Sequence, residues 1–278
     1  MPNTVVSIVR STHPGPSVAV SIVAVVLGIG LGLEPWRLGL LAVVFLLNQA
    51  SVGLSNDWLD ADRDRAVGRT DKPVALGQIS AATVRSTAFA TAVLAILLTL
   101  PLGLWATLAH AVFIVSAWTY NVGLKNTPAS VLPYIVSFGL LPMVASLARA
   151  VPAVAAPWAL ALGSMLGIAA HFANVLPDLD DDERTGIRGL PHRLGRRVSG
   201  AVIYVALSVA GLLAFFGPAG EKTVLQWIGL VLTLLLAVGM AVALRRPPTR
   251  LLFQLIIAAA LVNVVLLSFS GDRLVSPG

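Results

Sequence analysis

The chain is 278 residues long, 57% hydrophobic and only 12% charged, with a formal net charge of +6. A soluble domain carries about 25% charged residues, so this composition excludes an ordinary cytosolic globule, a disordered chain and a disulfide-rich secreted scaffold. The absence of cysteine also removes thiolate catalysis and Cys-bound zinc.

In chain order the sequence predicts nine apolar stretches, at 17–33, 38–54, 86–102, 105–118, 131–148, 158–175, 202–216, 224–244 and 251–269. A helix needs roughly 20 such residues to cross a bilayer core about 30 Å thick. None of the nine contains Asp, Glu, Lys or Arg, and a segment in lipid satisfies its own backbone only as a helix. The expectation is an all-α integral membrane protein, with nine transmembrane helices in one bundle and a single domain over residues 1–278. Pro101-Leu102-Gly103 predicts a tight turn between the third and fourth stretches. The first stretch lacks a small-residue cleavage site and reads as a retained helix.

The basic residues set the orientation. With the N-terminus cytoplasmic and the C-terminus outside, 15 of the 19 Lys and Arg fall on the inner side, and only Arg37, Arg149, Lys222 and Arg273 fall on the outer side. The positive balance therefore reads as positive-inside topology, not as nucleic-acid binding. All six Trp fall at or near predicted helix ends, as an interfacial belt requires. Gly28, Gly30 and Gly32 in the first stretch read as a close helix-packing surface.

Ten of the thirteen Asp and Glu residues sit in two inner segments: Asp57, Asp60, Asp62, Asp64 and Asp71, then Asp178, Asp180, Asp181, Asp182 and Glu183. The segments repeat one pattern. Asn56-x3-Asp60-x3-Asp64-x3-Gly68 returns as Asn174-x3-Asp178-x3-Asp182-x3-Gly186, 118 residues later. Residues at i, i+4 and i+8 stay near one helix face, so each copy aims an amide and two carboxylates toward the mouth of the bundle, with Pro177 set to kink the second copy. Like charges at this spacing repel and call for a cation. Carboxylate and amide oxygens without Cys suit Mg²⁺, which is commonly held by one or two carboxylates, waters and substrate phosphates. Two facing clusters of this kind fit a diphosphate. Arg69, Lys72, Arg188 and Lys125 follow in nearby loops and are candidates to bind phosphate oxygens. Asn48, two four-residue steps before Asn56, is a candidate for the same cavity, and His171 lies three residues before Asn174.

These residues resemble the UbiA superfamily of membrane prenyltransferases. Asn56-Asp57-x2-Asp60-x3-Asp64 looks like its first signature and Asp178-x3-Asp182 like its second. Gly68-Arg69-Thr70-Asp71-Lys72-Pro73 resembles the loop after the first motif, where Arg-Pro is more usual. Tyr120 with Leu124-Lys125 and Arg10-x3-Pro14 match two weaker elements. The resemblance implies that Asp57, Asp60, Asp64, Asp178 and Asp182 hold Mg²⁺ and the diphosphate of an isoprenoid donor. It implies further that Asn56, Asn174, Asp181, Tyr120 and the basic loop residues contact substrate, and that a lipophilic or aromatic acceptor attacks the allylic carbon. Phe45, Tyr120, Tyr134 and Phe172 are candidates to face the allylic cation; Asp178 and Asp181 are candidates to accept the released proton. The implied location is a bacterial-type plasma membrane, with lipid around the bundle and the active site facing the cytoplasm. A terpene cyclase on the same scaffold is the alternative. An ion-coupled transporter fits less well, because its ionisable groups belong near the midplane.

Overall fold

The computed structural model describes residues 3–177, 179, 182, 186–243 and 250–276. Its elements are helices: α1 (Thr4–Ser11), α2 (Pro14–Gly30), α3 (Pro35–Leu59), α4 (Ala61–Ala66), α5 (Ala81–Thr99), α6 (Leu104–Val122), α7 (Leu132–Leu147), α8 (Pro157–Val175), α9 (Leu190–Phe216), α10 (Val224–Ala243) and α11 (Arg250–Ser268). Among the described residues the only β feature is an isolated bridge between Ala155 and Val275.

Proline accounts for many of the helix starts. Pro14, Pro35, Pro133, Pro157 and Pro191 all stand at the first or second position of a helix, where the missing N–H costs nothing and the fixed φ is already helical. At the start of α5 the Ser80 side chain accepts from Thr83 N at 3.0 Å, a standard N-cap. A short 3₁₀ turn over Leu100–Leu102 makes the expected bend between α5 and α6.

Each predicted stretch coincides with a helix, but several helices run past the apolar run. Helix α6 carries the stretch at 105–118 on to Val122, and α9 begins twelve residues before 202, with a break at Gly195 (φ 74°). By length and composition, five of the described helices suffice to cross a membrane, and a sixth does if α1 and α2, bent by 60°, count as one span; α7 and Gln254–Ser268 are shorter apolar helices.

Helices α2, α3, α6, α7, α8, α9 and α11 share one core around Leu27, Leu41, Phe45, Phe113, Leu162, Phe172 and Leu207. The outward face of α10 leaves Trp227, Ile228, Val231, Leu235 and Val238 exposed, an apolar surface that water would disfavour and lipid would not. Gly30 serves close packing as expected: a Cβ there would meet Ser268 O on α11 at 1.7 Å. Gly32 does not; its φ of 69° ends α2 in open space.

Polar contacts divide the bundle ends. At one end Arg37 donates to Ala148 O, Arg149 pairs with Asp272, and Arg273 donates to Glu221 O. The first turns of α3, α6, α8 and α10, carrying Trp36, Trp105, Trp158 and Trp227, lie there. At the other end Asp57 and Asp60 at the close of α3 and Asp64 in α4 meet Ser11 of α1 and Lys125 of the loop after α6.

Candidate active site

The first acidic motif crosses a helix junction. Helix α3 stops at Leu59, Asp60 caps it (φ −93°, ψ −1°), and α4 begins at Ala61. The expected continuous ladder is thus a helix end, a cap and a separate short helix. Electrostatics explains the break: carboxylates are unfavourable at a helix C-terminus and favourable in a first turn, and the new start puts Asp62 and Asp64 in the first turn of α4. The four-residue backbone bonds still run through, from Asp60 N to Asn56 O at 2.9 Å and from Asp64 N to Asp60 O at 2.8 Å. In the second copy α8 ends at Val175, ahead of Pro177. Asp178 and Asp181 lie outside the described residues.

The spacing Asp-x3-Gly has the same structural meaning in both copies. Gly68 (φ 70°) and Gly186 (φ 80°) are left-handed. The residue after each closes back on the aspartate: Arg69 N reaches Asp64 O and Ile187 N reaches Asp182 O, both at 3.0 Å. In the first copy, where Gly68 N also bonds Arg65 O, this is the glycine-terminated C-cap of a helix. A Cβ at either glycine would meet nothing within 4 Å, so Gly68→Ala or Gly186→Ala is expected to cost only backbone strain, about 1–2 kcal/mol. Asn at either position should recover part of it. Thermal unfolding of the purified variants measures both.

Three carboxylates and three cations interlock at this mouth, and all three acids are buried. Lys72 Nζ lies 3.0 Å from Asp57 Oδ1 and 4.0 Å from Asp64 Oδ2, and donates to Asn56 Oδ1 at 3.0 Å. Lys125, in the turn Leu124–Asn126, donates to Asp60 Oδ1. Arg63 reaches Asp60 Oδ2 at 3.0 Å and Asp64 Oδ1 at 3.4 Å. Asn56 Nδ2 also donates to Asp60 Oδ2 at 2.9 Å. Burial pushes the Asp64 carboxyl above the usual carboxylate range and the Lys125 ammonium below the usual lysine range. Arg69 instead forms a fork with Asp71, at 2.9 and 3.0 Å, which holds the Asp71 carboxyl below its ordinary value.

Among the described residues no three His, Asp or Glu side chains already surround one point. The donor set nevertheless fits a hard cation. Asp64 Oδ2 is buried and accepts no hydrogen bond, and the one partner that Asp60 and Asp64 share is the flexible Arg63.

The described segment that follows the second motif closes on the same mouth. A Cβ at Gly189 would meet Lys125 O at 2.5 Å, and Leu190 N donates to Ser130 Oγ at 2.9 Å. These contacts seat the segment beyond Gly186 on the Lys125 loop. Asp182 Oδ2 lies 3.3 Å from His192 Nε2. The charges of both Asp60 and Asp182 bear on the Tyr120 ring. Tyr120, Tyr134 and His171 form an aromatic group with centroids 4.9–5.7 Å apart, and the Asn174 side chain bonds the Tyr134 hydroxyl. Arg188 is exposed on this segment.

Other expected residues sit elsewhere. Asn48 bonds His110 Nε2 at 2.9 Å, and His110 Nδ1 meets Thr99 Oγ1 at 2.8 Å. This buried polar group lies about 12 Å along α3 from Asn56, and Phe45 stacks on His110 within it. Phe172 is also core. Sequence reasoning gave no role to Arg63, Asn121, Ser130 or His13. Asn121 donates to Val52 O and Ser55 Oγ, at 2.9 and 2.7 Å, which fixes α6 to α3. The only signal for His13 was its place inside Arg10-x3-Pro14.

Residues 17–268 match the UbiA prenyltransferase family. The chain is 30% identical over 212 residues to a 4-hydroxybenzoate octaprenyltransferase of Ralstonia nicotianae, covering 74% of this chain and 72% of that one. A second enzyme of that name, from Burkholderia pseudomallei, is 30% identical over 199 residues, 70% of this chain and 69% of its own. The fold resembles a UbiA homologue from Archaeoglobus fulgidus solved with DMAPP and Mg²⁺, with a TM-score of 0.74 at 14% identity over 96% of this chain and 99% of that one. It also resembles a digeranylgeranylglyceryl phosphate synthase, with a TM-score of 0.69 at 15% identity over 97% and 98% of the two chains.

Proposed function

The chain belongs to the UbiA prenyltransferase family and is an integral-membrane prenyltransferase, and on that premise we propose that it moves an isoprenoid chain from a prenyl diphosphate to a small aromatic acceptor at the inner mouth of a nine-span bundle. What carries this reading is the sharing of Asp60 between Arg63 and Lys125. That contact ties the first motif to the loop on which the segment beyond the second motif rests.

Breaking the allylic C–O bond leaves its electron pair on diphosphate and positive charge on carbon. Magnesium held by Asp57, Asp60, Asp64, Asp178 and Asp182 would supply Lewis acidity to the leaving group. Lys125 and Arg63 exchange a carboxylate oxygen for a phosphate oxygen, and Lys72 turns an N–H to the same head, charge-assisted contacts that strengthen as the leaving group gains charge. Asn56 and Asn174 orient the head, with Arg69 and Arg188 at the rim. Tyr120 and Tyr134 turn aromatic faces to the allylic cation, and the apolar bundle keeps water from it. The proton released by the ring goes to a carboxylate of the second motif, Asp178 or Asp181. The parallel repeat at 56–68 and 174–186 is read as two pseudo-repeats of one domain, cytoplasmic in facing. The ring cluster and the named activity of the curated relatives support an aromatic acceptor.

The test is purified protein with prenyl diphosphates of several lengths, with and without a phenolic acid, and with and without chelator. Mass spectrometry should find a prenylated aromatic product only when both acceptor and Mg²⁺ are present. A hydrocarbon product formed without acceptor would replace this reading with cyclisation.

A further inference from the structure

His13 is the only residue other than glycine with positive φ among the described residues, at φ 52° and ψ 67°. Such a conformation persists where the surroundings enforce it, and it clusters at working sites. Here the enforcement is visible. His13 is the joint between α1 and α2, whose axes differ by 60°. The residue before it is pressed onto α3, where a Cβ at Gly53 would meet Thr12 O at 2.3 Å. Gly53 is one turn before Asp57, and Ser11 Oγ donates to Asp57 Oδ2 at 2.6 Å. The joint is thus docked beside the first acidic motif.

The imidazole faces the mouth. His13 Nε2 lies 3.0 Å from Lys72 Nζ and 3.7 Å from Asp57 Oδ1. An ammonium only donates, so Nε2 is the acceptor. Lys72 therefore has three neighbours: it donates to His13 Nε2 and Asn56 Oδ1, and lies in ion-pair contact with Asp57 Oδ1, which accepts no hydrogen bond. Two are part of the acidic motif, and His13 alone is neither part of that motif nor charged in this role. A neutral acceptor holds a cation less firmly than a carboxylate does, and of the two neutral acceptors Asn56 is also tied to Asp60, so His13 is the one whose exchange leaves the motif's own bonds intact. The His13 side chain is also 35% exposed, whereas that of Asp57 is fully buried.

We infer that His13 is a positioning residue for the donor head: its imidazole keeps the Lys72 ammonium from full pairing with Asp57 and Asp64, and is the partner exchanged for a phosphate oxygen. This rests on the assignment of the diphosphate to this mouth. Without the imidazole, Lys72 settles onto the two carboxylates and must be pulled from a tighter ion pair when the donor arrives.

Glycine tolerates the left-handed backbone, so His13→Gly separates the side chain from the fold. H13G is expected to melt at or above the wild-type temperature, to raise the donor KM about tenfold and to leave the acceptor KM unchanged. Titration calorimetry with magnesium and inorganic pyrophosphate should show the same loss of affinity. H13Q, which keeps an acceptor near Lys72, should recover most of it, and H13N, which tolerates the backbone but is shorter, should not. Wild-type affinity for pyrophosphate in H13G would overturn the role of His13 alone. Failure of the wild-type protein to bind that probe would overturn the diphosphate assignment, and this inference with it.

Discussion

Asp60→Ala is expected to lower diphosphate release by about 10³-fold or more, the scale of losing one electrostatic stabiliser together with a metal ligand, and to weaken the fold at the same time. Asp60 is the acceptor for Lys125, Arg63 and Asn56. Its removal strands Lys125, which is buried, and an uncompensated buried charge costs roughly 3–5 kcal/mol. Burial already holds the Lys125 ammonium below the ordinary lysine value of 10.5, so the variant can shed that proton. The folded pKa lies below the unfolded one, and the unfolded chain binds more protons between the two. The stability deficit of D60A should therefore shrink as pH rises toward 10.5. Adding Lys125→Met should return the melting temperature without returning turnover. Pyrophosphate release and thermal unfolding read the two effects separately. Normal turnover in D60A would remove Asp60 from the chemistry.

Lys72→Ala is expected to raise the donor KM by about 10–100-fold and, because it leaves buried carboxylates without that cation, to lower the melting temperature as well. Its ammonium lies near Asp57 and Asp64 together, so deletion frees two buried carboxylates. Magnesium binding measured without donor should then tighten, while donor binding weakens. These opposite signs distinguish a phosphate contact from general damage, since a misfolded mouth would lose both. Lys72→Arg should restore only part of the donor affinity, because a planar guanidinium presents its donors in a fixed fork. An unchanged donor KM and kcat in K72A would count against the phosphate contact.

The bundle was readable because apolar runs and prolines carry helix information locally. Helices outran the reading where polar residues flank the apolar run: α6 continues through Thr119, Tyr120 and Asn121, and α9 starts early. The residues of α9 before 202 include Arg193, Arg196 and Arg197, and charge at a helix end marks the edge of an apolar run without ending the helix. The duplicated Asn-Asp-Asp-Gly spacing was equally local, and both its glycines proved left-handed, each followed by an N–H that returns to the aspartate. What stayed hidden is tertiary. Lys125 meets Asp60 across 65 residues and Lys72 meets His13 across 59. Nothing near His13 in sequence reveals a partner so distant. Asn48 shows the opposite error: its phase relative to Asn56 was right for the helix face, but about 12 Å of rise carried it into a different hydrogen-bonded group.

The mutual cancellation of Asp57, Asp60 and Asp64 by Lys72, Lys125 and Arg63 bears on how substrate is captured. Three negative and three positive charges leave this inner ring without a standing field of either sign, so it offers little long-range steering to a free anion. Capture then favours an arriving head already escorted by its own counter-ions, and the selectivity of the first encounter belongs to the greasy tail and the lipid that delivers it.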